Sequence, residues 1–370
     1  MSDYRLRPEE RAALRLRSLY AEHGYSFYRM SRFEEYDFYA DKKDFLLSKN
    51  ILTFTDADGK LMALRPDVTL SIIRHIRRTQ GVQKFFYDEK VYRVPRNANT
   101  FHEISQSGIE CIGGLDDGNI CEVLELAILS LHTIAQGMRC VLDVSHAGLT
   151  ASLIHGNTHE ILKCLADKNI HGLKSQGASE EIIRLAELEG SPKSALPKLR
   201  EITGSNSLDV LSMLSKYDDE IRIDFSTMNS LNYYNGIVFR GFIEGVSESI
   251  LSGGQYDNLM SMMGHKGVKA VGFGVNLGLA AASDFIIDTT SLPTPPLTHG
   301  VPTSLPASPI TQEVPTSLPA SPITQEVPTS LPASPITQKR METTSPPAPP
   351  LTQGKGEPRI STLRRRNVEC

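Results

Sequence analysis

Residues 82–94, VQKFFYDEKVYRV, and 104–114, ISQSGIECIGG, decide the architecture. Both runs are rich in β-branched or aromatic residues, and a polar stretch joins them. That combination predicts two strands of one antiparallel sheet rather than a βαβ unit. Successive strand residues face opposite ways, so Gln106, Gly108 and Glu110 share one face of the second strand. Working outward, ILTFTDADGKLMALRPD (51–67) predicts a hairpin about an Asp58-Gly59 turn. VTLSIIRHIRRT (68–79) predicts a helix with a basic outer face. PEERAALRLRSLYAEHG (8–24) places Pro8 at a helix start and Gly24 at its stop. NICEVLELAILSLHTIAQG (119–137) predicts a helix, and RCVLDVS after it a strand. From about 155 to 216 helical patterns run without strand signals, which implies a helical insertion. Strands return at 220–226, 235–243, 248–253 and 268–275, with a helix at 256–263 and another closing the series. Hairpins dominate, so the expected class is α+β: a mostly antiparallel sheet flanked by helices.

Composition divides the 370 residues near position 286. Apart from Pro8, Pro66, Pro95, Pro192 and Pro197, all of the 22 prolines lie beyond that point. VPTSLPASPITQE begins at Val301 and recurs at Val314 and, with Lys339 in its last place, at Val327, too short and too apolar-poor a unit to build a solenoid. Residues 286–370 are therefore expected to form a disordered, polyproline-like tail, leaving 1–285 as the folded core. A formal net charge of −4 argues against a protein that coats nucleic acid. Cys111, Cys121, Cys140, Cys164 and Cys370 are odd in number and contain no CxxC pair, which suits reduced thiols in a reducing compartment. With no consecutive apolar run near 18 residues and no signal-peptide core, a cytoplasmic protein is expected.

Four polar clusters interrupt the apolar pattern. Asp67 and Thr69 stand where a hairpin passes into a helix, and an ordinary helix cap would explain them as well as a ligand would. Gln106 and Glu110 form an acceptor-rich strand face, which is either solvated or buried against a partner. Tyr233 and Tyr234 precede the run GIVFRGF; if they are strand residues, only one hydroxyl enters a given pocket and the other packs. In SGGQYDNL (252–259) a Gly-Gly pair permits close backbone approach, and Tyr256-Asp257 opens a helix or merely closes a turn. The order and spacing of the four clusters are more specific than any one of them.

That order resembles the histidyl-tRNA synthetases and their relatives, over about residues 5–283. GYSFYRMSRFEEYDFYADKKDFL resembles class II motif 1, the dimer-forming segment, with Ser31 where a proline is usual. LMALRPDVT resembles the segment that contacts the amino group of histidine. VYRVPRNANTFHEISQSGIECIGG resembles motif 2, and Arg93 falls on its ATP-contacting arginine if the loop is one residue shorter. SLNYYNGIVF and LSGGQYDNL resemble the two histidine-specific signatures, and KAVGFGVNLGL resembles motif 3. The resemblance implies that Asp67, Thr69 and Gln106 receive an α-ammonium, that Glu110 and Tyr234 hold an imidazole, and that Tyr233 and Tyr256 belong to the same pocket. Carboxylates and hydroxyls are chemically apt for both tasks.

The departures from that family concern catalysis. Asn229 replaces the arginine that neutralises the reacting carboxylate and α-phosphate, and Gly278-Leu279 replaces the Glu-Arg ending of motif 3. Basic residues of the motif 2 loop have become NANT. Adenylation gathers negative charge in its transition state, so each lost cation costs about 10²–10³ in rate. Arg93 is then a vestigial ATP contact, unless another arginine reaches the site and reopens the enzymatic reading. A histidine pocket without adenylation chemistry resembles the regulatory subunits of short-form ATP phosphoribosyltransferase, as does LDVSHAGL at 142–149. That resemblance implies a catalytic phosphoribosyltransferase subunit as partner, L-histidine as ligand, and a homodimer within a hetero-oligomer. It implies no cofactor, metal or membrane partner, and no tRNA is expected because no pattern of an anticodon-binding domain follows residue 285. A ligase activating an amino acid for some acceptor other than tRNA is the alternative.

Overall fold

A computed structural model describes residues 6–42, 46, 50–76, 81–94, 99–135, 137–227 and 233–282. The repeats beyond residue 286 and position 229 lie outside these. The chain opens with α1 (Pro8–Glu22), β1 (Ser26–Phe27), β2 (Phe33–Glu35) and α2 (Tyr36–Ala40). The hairpin β3 (Thr53–Thr55) and β4 (Leu61–Leu64) follows, turning through Gly59 at φ +82°. Next come α3 (Val68–His75), the long strands β5 (Gln83–Arg93) and β6 (His102–Gly113), α4 (Asp117–Ala135) and β7 (Cys140–His146). After α5 (Ala147–Leu153), the helices α6 (Thr158–Ala166), α7 (Ile170–Ser175), α8 (Glu180–Glu187) and α9 (Pro192–Thr203) lie in the 155–216 region, with the two-residue β8 (Glu189–Gly190) among them. The core closes with β9 (Ile221–Asp224), β10 (Ile237–Ile243), β11 (Leu251–Gln255), α10 (Asp257–Met262), β12 (Lys269–Asn276) and α11 (Leu277–Ala282).

Among the described residues nine strands form one sheet in the order β1-β5-β6-β12-β11-β10-β7-β9-β8. Pairing is antiparallel except for β1–β5 and β7–β9. β5 and β6 pair from Gln83↔Ile112 to Arg93↔His102, the long hairpin expected from residues 82–114. Strand alternation sends side chains into two separate cores. Phe86, Ile109, Cys111, Val271 and Phe273 face α1 and α4, whereas Tyr87, Val91, Ile112 and Ala270 face α3 and α10. A second, three-stranded sheet β2-β4-β3 leaves Phe33 and Leu61 exposed.

Two expectations need correction. β8 pairs with β9, so the 155–216 region is not purely helical. The expected lack of a membrane-length apolar segment holds only for uninterrupted runs: α4, with 19 residues, is long and apolar enough to cross a membrane despite its Glu122 and Glu125. Val123, Leu124, Leu126, Ala127 and Leu131 are nonetheless fully buried in the core beneath the sheet, as an internal helix requires.

Candidate functional site

A cavity of about 140 Å³ opens on the α3 face of the sheet. Its walls include Asp67, Thr69, Arg93, Gln106, Glu110, Tyr233, Tyr234 and Tyr256, every candidate residue of the sequence. Drug-sized ligands occupy roughly 300–1,000 Å³, so a small metabolite suits this space better.

Glu110 lies at the centre, on β6, with 1% of its surface exposed. The Thr69 hydroxyl donates to its Oε1 at 2.6 Å, and the Tyr256 hydroxyl donates to Oε2. Burial pushes the Glu110 carboxyl up to about 8; the two hydrogen bonds only partly oppose this, and the charge of Asp67 adds to it. With its O–H directed at Glu110, the Thr69 oxygen has lone pairs left for an incoming donor.

Asp67 answers both readings made of it. It caps α3, accepting the Leu70 N–H at 2.9 Å, and it also lines the cavity. Its other oxygen accepts from Arg93 Nη2 at 3.3 Å, while Arg93 Nε donates to the Pro66 carbonyl at 2.5 Å. Arg93 is therefore tied to the segment that carries Asp67.

Tyr233 and Tyr234 do not behave as strand residues. They precede β10, so strand alternation does not separate them, and both line the cavity. Their ring centroids lie 4.8 Å apart in an edge-on arrangement, and Tyr233 lies 6.1 Å from Tyr256. Burial raises the Tyr234 hydroxyl, Glu110 and Asp67 reinforce it, and the charges of Arg240 and Arg93 oppose it.

Two features escaped the sequence. One is Arg240, an additional guanidinium on the cavity wall, which corrects the expectation that such cations had gone. The other is the floor. A Cβ on Gly272 would stand 1.9 Å from Glu110 Oε2 and 2.4 Å from the Ile109 carbonyl, and one on Gly254 would meet the Tyr234 ring at 2.7 Å. Glycine at these positions makes the room. Gly272→Ala is expected to lower stability by about 1–3 kcal/mol through overpacking, read by urea denaturation. Unchanged stability would mean that the floor yields.

The antiparallel sheet flanked by helices, with this cavity on its α3 face, is the fold of a class II aminoacyl-tRNA synthetase-like core. The family model for histidyl-tRNA synthetase matches residues 3–278, and the chain belongs to that family. It is 26% identical over 278 residues to the ATP phosphoribosyltransferase regulatory subunit of Oceanobacillus iheyensis, covering 68% of each chain. It is 29% identical over 284 residues to the histidine–tRNA ligase of Methanosarcina acetivorans, covering 70% of this chain and 68% of that protein. Its fold matches a chain of the ATP phosphoribosyl transferase (HisG:HisZ) complex from Thermotoga maritima with a TM-score of 0.56 at 20% identity, over 72% of this chain and 96% of that one.

Proposed function

We propose that this protein is a regulatory subunit of ATP phosphoribosyltransferase that binds L-histidine around Glu110 and catalyses no reaction itself. In this reading it assembles with the catalytic subunit, is needed for that subunit's activity, and transmits feedback inhibition in the first step of histidine biosynthesis. The observation that carries the reading is the buried Glu110 braced by Thr69 and Tyr256, with Asp67 and Gln106 on the same cavity wall. A carboxylate accepts the imidazole N–H, and the remaining acceptors suit an ammonium. Similarity to proteins named as regulatory subunits supports the role. The exposed Phe33 and Leu61 offer apolar surface for a homodimer within the larger assembly. A cytoplasmic location accords with such a role.

Feedback requires histidine to favour one state of the complex over another. Mixed with the short-form catalytic subunit at micromolar concentration, this chain is expected to co-elute with it, raise its turnover and render it histidine-sensitive. Failure to form a complex would overturn the reading.

A second reading has one specific observation in its favour. Arg240 and Arg93 both line the cavity, and two guanidinium groups could serve an adenylating ligase. Histidine-dependent ATP–pyrophosphate exchange separates the readings: no exchange is expected, and robust exchange would establish the ligase.

A further inference from the structure

We propose that a second cavity, on the reverse face of the nine-stranded sheet, binds a neutral polyhydroxylated molecule of monosaccharide size. Its volume is about 260 Å³, against about 140 Å³ for the cavity at Glu110, and still below the roughly 300–1,000 Å³ of a drug-sized site. Strand register sets the two back to back. Ile237 pairs with His146, Gln255 with Val271, and Val271 with Cys111. Each follows or precedes by one residue a member of the row Val238, Gly254, Gly272, Glu110, so alternation turns them to the α1 and α4 side. Of these, Ile237, His146 and Gln255 line the second cavity, joined by Lys269 of β12, by Asp117 of α4 and by Asp209 of a 3₁₀ helix (Asp209–Tyr217). His146 belongs to the stretch LDVSHAGL, which no residue of the first cavity shares.

The lining offers hydrogen bonds of both senses and no net charge. His146 Nδ1 accepts the Leu149 N–H at 3.0 Å, and burial pushes the ring down to about 4, so at neutral pH its one proton sits on Nε2. The imidazole is thus a fixed donor. Lys269 Nζ donates to the Leu115 carbonyl at 3.2 Å and has two N–H groups left. Gln255 Nε2 donates to Asp257 at 2.7 Å, which leaves its carbonyl oxygen as an acceptor. A Cβ on Gly236 would stand 2.1 Å from that oxygen, so glycine there makes room for it. Asp209 Oδ1 accepts from Arg200 Nε and Nη2 at 3.0 and 2.7 Å, and its other oxygen can accept from a ligand. Arg200 balances Asp209, and Lys269 balances Asp117, so the wall favours neither an anion nor a cation. A hydroxyl both donates and accepts, so a molecule carrying several can answer fixed donors and fixed acceptors together. Ile120 and Ile237 leave apolar surface for its C–H groups.

The site stands whether or not Glu110 holds histidine. Calorimetric titration of the full chain with D-glucose and with myo-inositol is expected to saturate at about 1 mM, the range that roughly a dozen non-hydrogen atoms reach. D-glucose 6-phosphate and D-glucosamine, which add a charge of either sign to the same ring, are expected to bind no more tightly. Lys269→Met, at an exposed position, is expected to weaken D-glucose by about two- to tenfold. His146→Asn, which keeps a side-chain oxygen to cap α5, is expected to do the same. L-histidine is expected not to compete, because the sheet separates the two cavities. Binding of neither neutral probe up to about 20 mM overturns the proposal. So does tighter binding of a charged sugar, unchanged affinity in both variants, or displacement by L-histidine.

Discussion

At pH 8.5, where the wild-type side chain is mostly ionised, Glu110→Gln is expected to weaken histidine binding by about 10²-fold, measured by calorimetry. The carboxylate is acceptor-only and already accepts hydrogen bonds from the Thr69 and Tyr256 hydroxyls. A carboxamide keeps one acceptor oxygen and turns an NH₂ toward groups arranged to donate, which leaves hydrogen atoms opposed in a buried site. Losing a hydrogen bond to a charged group costs about 1.5–3 kcal/mol, and tenfold in affinity corresponds to about 1.4 kcal/mol. The same substitution has a second readout that needs no ligand. Glu110 is raised from 4.5 to about 8, so between those values the folded chain holds a proton that the unfolded chain has released. Its contribution is therefore fully present below pH 4.5 and lost as pH climbs to about 8. Each tenfold difference in proton affinity between the folded and unfolded chains is worth about 1.4 kcal/mol, so that loss is on the order of 5 kcal/mol as an upper bound. Urea denaturation at pH 5 and pH 8.5 should show a marked decline for the wild type and a flatter one for the variant. Equal slopes would mean that Glu110 is ionised throughout, and unchanged histidine affinity would remove it from the site.

What the sequence could and could not disclose follows from the range of the interactions. Alternation along a single strand is local, so the shared face of Gln106, Gly108 and Glu110 is legible from the residues alone. Asp67 is legible as a cap for the same reason, its bond to the Leu70 N–H spanning three residues. Arg240 is not. Inside the run IVFRGF it looks like a solvated position on a half-buried strand, and only the register through β11 and β12 brings it to the cavity with Glu110. The glycines of VGFGV can be matched to a motif but not explained, because the clash that forbids a side chain at Gly272 involves a carboxylate 162 positions earlier in the chain. Tyr233 and Tyr234 defeat the alternation rule because they lie before the strand begins, where the rule does not hold.

Arg65→Ala is expected to cost about 3–5 kcal/mol of stability, the largest loss foreseen for a single residue here. The side chain is completely buried, yet it carries a charge. Nη2 donates to Glu89 at 2.7 Å and to the Lys90 carbonyl at 3.0 Å, and Nη1 donates to the Ser31 carbonyl at 2.7 Å. Its backbone joins the same elements: the N–H donates to the Arg32 carbonyl, and the carbonyl accepts the Tyr92 N–H, each at 3.0 Å. Arg65 thus fastens the end of β4 to β5, two residues before Asp67 and across from Arg93, which closes the same junction through Pro66. Removing it strands Glu89, 11% exposed at its side chain, without its cation. If that uncompensated charge is the main cost, Arg65→Met with Glu89→Leu should recover most of the stability lost by Arg65→Ala, since an apolar pair needs no counter-charge. If the carbonyl contacts to Ser31 and Lys90 matter more, the double variant should be no better than the single one. Urea denaturation of the three proteins separates the two causes, and a single variant within about 1 kcal/mol of wild type would refute both. The first outcome would make the ion pair a local charge balance that apolar packing can replace. The second would make Arg65 the brace that holds Asp67 and Arg93 in register with the cavity, so histidine affinity should then fall together with stability.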